Sequence, residues 1–260
     1  MSQTSYPLDQ GVAIKGQPAD NNDPGNDIVT YNNPDDQIVF GRGVVKKAGD
    51  ENGAKLPASG SDDFLGVALR NMQLTDEYYP VKSALPVFKR GRIYVEVEEA
   101  VTPDDDVYVR YAGKAQVQTL TFDADLVTDN DFDVDVDGVA MTQVPFNSTH
   151  DQTMSDIADQ LVADFPQIAS ATTPGGGSRV ITITAASTEA DVAITDPVVT
   201  GGGSQAGAVV AETVASVSED DKGLFRNDAD SSTCFQVTNA RFMTAGSGAG
   251  SLVVLDLNLV

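Results

Sequence analysis

From Gln37 onward the chain is punctuated into short apolar runs closed by Gly, Pro or Asp, at residues 38–40, 44–46, 65–69, 85–89, 92–97 and 107–110. Their β-branched and aromatic content predicts strands. Ile93, Val95 and Val97 alternate with Tyr94, Glu96 and Glu98, so one face is apolar and the other wet. That is the pattern of antiparallel pairing with one covered face. Gly41, Gly43, Gly60, Gly66, Gly91 and Gly113 fall between or at the edges of these runs, where turns are expected. Short strands separated by frequent turns predict a barrel or a sandwich.

The texture changes near Gln116. Met154, Ile157, Ala158, Leu161, Val162 and Phe165 recur at the spacing of an amphipathic helix, with Thr149 or Asp151 available as a cap and Pro166 as a stop. Strands are predicted around it at 120–122, 132–139 and 179–184, which makes a small α+β domain. Near Ser216 the first texture returns, at 223–226, 234–237 and 241–243. It closes in a run where Leu255, Leu257 and Leu259 alternate with Asp256 and Asn258. The expected fold is therefore mainly β. An antiparallel β-barrel or sandwich domain, 37–115 plus 216–260, is interrupted by an inserted α+β domain, 116–215, that carries one helix. The strands at 107–110 and 224–226 should be neighbours. Residues 1–36 are poor in apolar residues and rich in Asn, Asp, Pro and Gly, and read as an extended N-terminal arm.

Charge narrows the partners. The 260 residues carry 16 Lys+Arg against 39 Asp+Glu, a net charge of −23. Such a chain repels nucleic acid and anionic lipid, so neither is an expected partner. No apolar run approaches the roughly 20 residues of a membrane-spanning helix. Residues 1–10 hold neither a cationic stretch nor an apolar core of a signal peptide, which predicts a protein made and kept inside a cell. With no Trp and 7% aromatic residues, two modest cores are expected rather than one large one. Cys234 is the single cysteine, excluding an intrachain disulfide, and reads as a small core residue.

The candidate chemistry is thin. Asp129, Asp131, Asp133, Asp135, Asp137 and Gly138 resemble the start of a calcium loop, but the position for a closing bidentate acid is Val144 and no helix precedes. A strand with Asp133, Asp135 and Asp137 on one wet face and Phe132, Val134 and Val136 on the other accounts for it; a weak hydrated cation on that face is the minor alternative. Asp104, Asp105 and Asp106 after Pro103 read as a turn. His150, the only histidine, sits where the helix should start. The string from Gly246 to Gly250 has Gly at the place of a nucleophilic serine. The glycine tracts at 175–177 and 201–203 lack the Lys-Ser/Thr of a phosphate loop. No catalytic residue, cofactor, metal ligand or small-molecule substrate is predicted, and the chain reads as a non-enzyme.

One resemblance emerges from the β-rich parts. Gly43-Val44-Val45, Leu65-Gly66-Val67-Ala68, Tyr79-Pro80-Val81, Val87 with Gly91-Arg92-Ile93-Tyr94-Val95, and Val107-Tyr108-Val109-Arg110 form one half of it. The other half is Lys222-Gly223-Leu224-Phe225-Arg226-Asn227-Asp228-Ala229-Asp230, Asn239-Ala240-Arg241-Phe242 and the run from Gly250 to Leu259. Together they resemble the structural cement proteins that decorate tailed-bacteriophage capsids. The resemblance implies a virion protein made in the host cytoplasm and placed on the outer capsid surface. There it would bridge copies of the major capsid protein and stabilise the shell, as a dimeric or trimeric homo-oligomer. It implies that the arm lies over a neighbour and buries Tyr6, Leu8, Val12, Ile14, Val29 and Tyr31, ordering only when bound. The insert departs from the plain cement pattern and is similar to small β-rich modules of phage tails, so a tail or other virion protein is the alternative. A calcium-dependent surface module is a more distant one.

Overall fold

The structure, a computed structural model, describes residues 13–20, 25–201 and 207–259. It divides into two compact units, Met1–Ala112 with Asp221–Val260, and Gly113–Asp220. In chain order, the first unit opens with β1 (Asp27–Asn33), β2 (Gly43–Lys46), β3 (Phe64–Ala68), β4 (Ser83–Val97) and β5 (Tyr108–Arg110). The second unit holds β6 (Val117–Phe122), β7 (Asn130–Val136), α1 (His150–Asp164), β8 (Ile168–Thr172), β9 (Val180–Ala185), β10 (Ile194–Gly201) and β11 (Ala208–Val214). The first unit then resumes with β12 (Phe225–Arg226), β13 (Cys234–Gln236), β14 (Ala240–Phe242) and β15 (Ser251–Asn258).

Strand β4 organises the first unit. Its first half pairs antiparallel with β1 and β3, and its second half pairs antiparallel with β15 and parallel with β12. The sequence pattern breaks this stretch at Gly91 into two strands; the backbone runs through. Opposite β1, Asp27 pairs with Arg90 and Ile28 with Phe88, so Lys89 is an extra residue, a β-bulge. One extra residue inverts which side chains face which side. Leu85 and Val87 accordingly point into one core cluster with Ile38, Phe40, Val44 and Tyr79. Phe88, Ile93, Val95 and Val97 point into another with Val109, Phe225, Phe242, Val253 and Leu255. Gly91 takes φ +106°, and a Cβ there would collide with the Asn26 Oδ1 atom. Only glycine tolerates both. Neighbouring β3 repeats the device: Val44 pairs with Gly66 and Val45 with Phe64, Gly66 sits at φ +145°, and its missing side chain leaves room for the Phe88 carbonyl.

No sheet among the described residues closes on itself, which corrects the barrel half of the expectation. The strands instead wrap over the two clusters, in a sandwich-like arrangement. The expected neighbours at 107–110 and 224–226 do pair, Phe225 opposite Val109 and Arg226 opposite Tyr108. A further difference lies upstream. Within 1–36, read as arm, Asp27–Asn33 is a strand on β4, and residues 16–19 are stitched to the second half of β4. Gly16 N–H donates to the Tyr94 carbonyl (2.7 Å), Tyr94 N–H to Gln17 (2.9 Å) and Ala19 N–H to Arg92 (2.8 Å). A polar strand such as DIVTYNN carries little periodicity of its own and is made by its partner.

The second unit has an antiparallel sheet in the order β8-β9-β6-β11 and a second one built on β7 and β10. Helix α1 starts where the stripe predicts: Thr149 is the cap, its side chain accepting from Gln152 N–H, and the chain turns extended at Phe165 before Pro166. Met154, Ile157, Ala158 and Leu161 are buried against Phe122, Phe132, Ile181 and Ile183. Val162 lies at the edge of the stripe and is 38% exposed.

Replacing Gly91 by Ala should lower the unfolding free energy by about 1–3 kcal/mol through strain and collision. Gly138→Ala, at φ +76° with nothing within 4 Å of the added atom, should cost less. Urea midpoints for the two variants check the difference, and equal midpoints would contradict the role given to the β4 bulge.

Candidate functional site

A buried cluster of charged side chains lies beside the point where the first unit is interrupted. Arg110, at the end of β5, has a fully buried side chain. Its Nε and Nη2 each donate at 2.6 Å to the two carboxylate oxygens of Glu98, Nη2 also reaches Asp230 Oδ2 (2.5 Å), and Nη1 donates to the Ala112 carbonyl (3.1 Å) and to Thr233 Oγ1 (3.0 Å). Arg226 on β12 closes the cluster, reaching Glu98 (3.1 Å), Asp230 (3.0 Å), Glu99 (3.1 Å) and Asp228 (2.8 Å). Burial alone pulls the Arg110 pKa down, but its hydrogen bonds to Glu98 and Asp230 reverse this and hold it raised. At Arg226 burial also acts downward and is outweighed by the charges of Asp230, Glu99 and Asp228. A guanidinium fixed in charge and filled with acceptors has no proton to trade, so the cluster is architectural rather than reactive. Cys234 next to it is buried, and burial pushes its thiol up to about 11, leaving it protonated at neutral pH.

The carboxylates of the acid-rich strand are spread along it rather than gathered. Asp131, Asp133 and Asp135 are half-buried along one face of β7, while Phe132, Val134 and Val136 enter the core. Asp137 turns away in a left-handed conformation and accepts from Ala193 N–H (2.9 Å). Among the described residues no three acidic, histidine or cysteine side chains gather closely enough to hold an ion. His150 is the first residue of α1. Its Nδ1 accepts from Leu126 N–H (3.0 Å), so Nε2 carries the proton and donates to the Ser178 carbonyl (3.1 Å). The glycines at 175–177 all adopt positive φ in a loop whose Gly177 N–H donates to Asp151.

The surface offers one cationic feature that the sequence reading does not single out. On the wet face, Arg241 of β14, Asp256 of β15 and Arg92 of β4 occupy one row across three strands. Arg241 holds Asp256 at 3.1 Å, and Arg92 lies on the far side of the same carboxylate row. With Arg90 they line an open groove of about 580 Å³ that Gly25, Gly91 and Asn239 also border. Cross-strand charge rows of this kind arise from register alone, and no spacing within one segment announces them.

Of the residues expected to contact a capsid, Tyr6, Leu8 and Val12 lie outside the described residues. Ile14 is exposed. Val29 and Tyr31 are half-buried on the inner side of β1, Tyr31 packing on the core cluster of Leu85 and Val87. Their neighbour Ile28, not anticipated, is 47% exposed on the outer side of β1. The structure thus brings Ile14 and Ile28 to the surface and turns Val29 and Tyr31 inward.

Three comparisons with known proteins bear on this arrangement. A family model described as structural cement protein (E217 gp24/Pam3 gp6) matches residues 2–151. The match takes in the N-terminal segment, the first part of the first unit and the second unit up to the start of α1. It does not extend to the motifs between Lys222 and Leu259. No curated protein matches. A solved chain from Mycobacterium phage Patience superposes with a TM-score of 0.35 at 13% identity, covering 90% of this chain and 91% of that one. A score that low does not bear on the fold.

Arg110→Ala should cost about 3–5 kcal/mol, because Glu98 and Asp230 would stay buried without their cation. Arg110→Lys should recover little of it, since one ammonium cannot span both acids. Chemical denaturation reads both. Thiol reagents should label native Cys234 slowly at neutral pH, faster as the pH rises toward about 11, and rapidly in denaturant. Rapid native labelling at neutral pH would mean the thiol is neither buried nor suppressed.

Proposed function

This chain belongs to the structural cement protein family of bacteriophages, a structural and not an enzymatic family, and from that premise we propose that it decorates the outside of a tailed-phage capsid. In this reading it bridges copies of the major capsid protein, stabilises the shell as a homo-oligomer and carries out no reaction. The family match over residues 2–151 carries the proposal.

Other observations support it. A net charge of −23 favours an outward position, because an inward surface so charged would repel packaged DNA. Stitching residues 16–19 and β1 to β4 gives a rigid base from which the preceding residues, with Tyr6, Leu8 and Val12, reach a neighbour. Ile14 and Ile28 add apolar contacts on that base, and Val29 and Tyr31 hold it to the core. Residues 37–115 with 216–260 act as the shell-binding cement domain, and 116–215 as a module inserted into it.

Mixing the purified chain with empty expanded phage heads tests the proposal. Stoichiometric co-sedimentation and a raised melting temperature of the heads are the expected results, and removing residues 1–12 should weaken binding. No binding, together with rings or tubes formed by the chain alone, would assign it to the tail instead.

A further inference from the structure

We propose that copies of this chain meet face to face through the outer surface of the sheet β8-β9-β6-β11 in the second unit, as a two-fold contact between identical faces. The starting point is where the acids are missing. Residues 113–220 hold 17 Asp and Glu against two bases, Lys114 and Arg179. Other solvent-facing surfaces of this unit display them: Asp131, Asp133 and Asp135 along β7, and Asp151 and Asp159 on the exposed side of α1. The sheet β8-β9-β6-β11 contains a single acid, Glu212, which stands opposite the buried Gln118 and accepts from Gln116 Nε2 (2.8 Å).

Register shows what the outer surface carries instead. Leu120, Phe122, Ile181 and Ile183 point into the core cluster that includes α1, so the residues alternating with them point out. One row across the four strands is Thr172, Thr182, Thr119 and Ala211. On one side of it lie Ser170, Thr184, Val117 and Val214, and on the other Val180, Thr121 and Val209. Thr121, Thr172, Val209 and Ala211 are exposed, and the central Thr119 and Thr182 are half-buried between their strand neighbours. No member of the three rows is charged or larger than valine, so the surface is even in height. Residues 202–206, Gly-Gly-Ser-Gln-Ala in sequence, add no charge beside it, and Asp123 and the Arg179–Asp125 pair stand past the Phe122 end.

These features select the occupant. A two-fold contact sets the same surface against itself, which carboxylates resist and which hydroxyls, donors and acceptors at once, and methyl groups permit. A cationic partner would be drawn to the acids displayed elsewhere on the unit, so an uncharged face gains it nothing. A like-charged partner is repelled at those acids and admitted here, and the like-charged molecule of matching flatness is a second copy. Four strands and about five residues along each give a patch of roughly 20 by 17 Å, about 350 Å² from each copy. That is at the small end of specific interfaces, so the dimer is weak in solution and gains where copies are held side by side. The inference deepens the homo-oligomer of the cement reading and rests on that reading only for its setting on a shell.

The test is the mass of the full-length chain in solution, by sedimentation equilibrium from about micromolar to about millimolar chain at low and high salt. Association is expected, and salt should strengthen it, because screening removes the repulsion between two chains of charge −23 and there is no ion pair in the contact to break. Thr119→Asp with Thr182→Asp, neighbours at the centre of the face, should weaken it by about tenfold or more, and so should Thr119→Lys with Thr182→Lys. Mixed in equal amounts, the two variants should pair with each other about tenfold or more tightly than either pairs with itself. Urea midpoints check that both are folded; where the central changes prevent folding, Thr172→Asp with Ala211→Asp and Thr172→Lys with Ala211→Lys, at the exposed ends of the same row, take their place. A native chain that stays monomeric throughout, association that falls as salt rises, indifference to both double variants, or folded variants that do not pair when mixed would each overturn the inference. Binding to empty heads separates the two readings. Heads decorated equally by the native chain and the Asp variant, with the native chain monomeric, would remove the face-to-face contact alone. Association sensitive to the variants, without decoration, would remove the cement reading alone.

Discussion

The first unit depends on a desolvated charge cluster, Arg110 and Arg226 against Glu98 and Asp230, placed where the chain leaves that unit and where it returns. Hydrophobic contact alone does not specify how the strands before residue 113 meet those after residue 220, because apolar side chains tolerate sliding. Charges removed from water do not: a guanidinium displaced by an ångström leaves a buried carboxylate unpaired. The backbone repeats the instruction, Gly223 N–H donating to the Arg110 carbonyl and Arg110 N–H to Leu224. With both ends held in this way, a long excursion between them costs the first unit little, since loop-closure entropy grows only slowly with length.

The same unit shows how a strand serves two cores. Lys89 and Gly91 in β4, and Leu65 and Gly66 in β3, shift the alternation at matching places on adjacent strands, so both switch sides together. The sheet is thereby buried on both faces by short segments, none of them long enough to form a separate layer. In a chain without Trp and with few aromatics, sharing strands between clusters is a way to gather enough buried area from modest side chains.

Much of this was legible in the sequence, and the boundary of legibility is physical. Alternation located the strands at Ile93 to Val97 and at Leu255 to Leu257, and the spacing from Met154 to Phe165 located α1 with its Thr149 cap, because those residues carry their own periodicity. Segments made by their partners escaped: β1, β8, β10 and β11 are polar or small-residue strands whose reason for extension lies across the sheet. Gly91 misled because a glycine inside a strand and one between strands look alike until the register is known. The closed barrel failed for a related reason, since closure is a property of pairing and not of composition. Of the chemistry, the quiet roles of His150 and Cys234 were readable. Arg110 was readable only in hindsight, as an arginine in an otherwise apolar run. The arginine groove had no linear signal, because Arg92, Asp256 and Arg241 meet only through register. The family likeness was legible in its first half; its second half, from Lys222 onward, lies beyond the stretch matched by the family model.

The buried state of Cys234 has a practical side. A chain with a single, suppressed thiol is a blank background for site-directed labelling. A cysteine introduced at any exposed position would be the only one to react under mild conditions, without first removing the native residue. Probes, cross-linkers or displayed cargo can therefore be attached one position at a time, with the core left as it is.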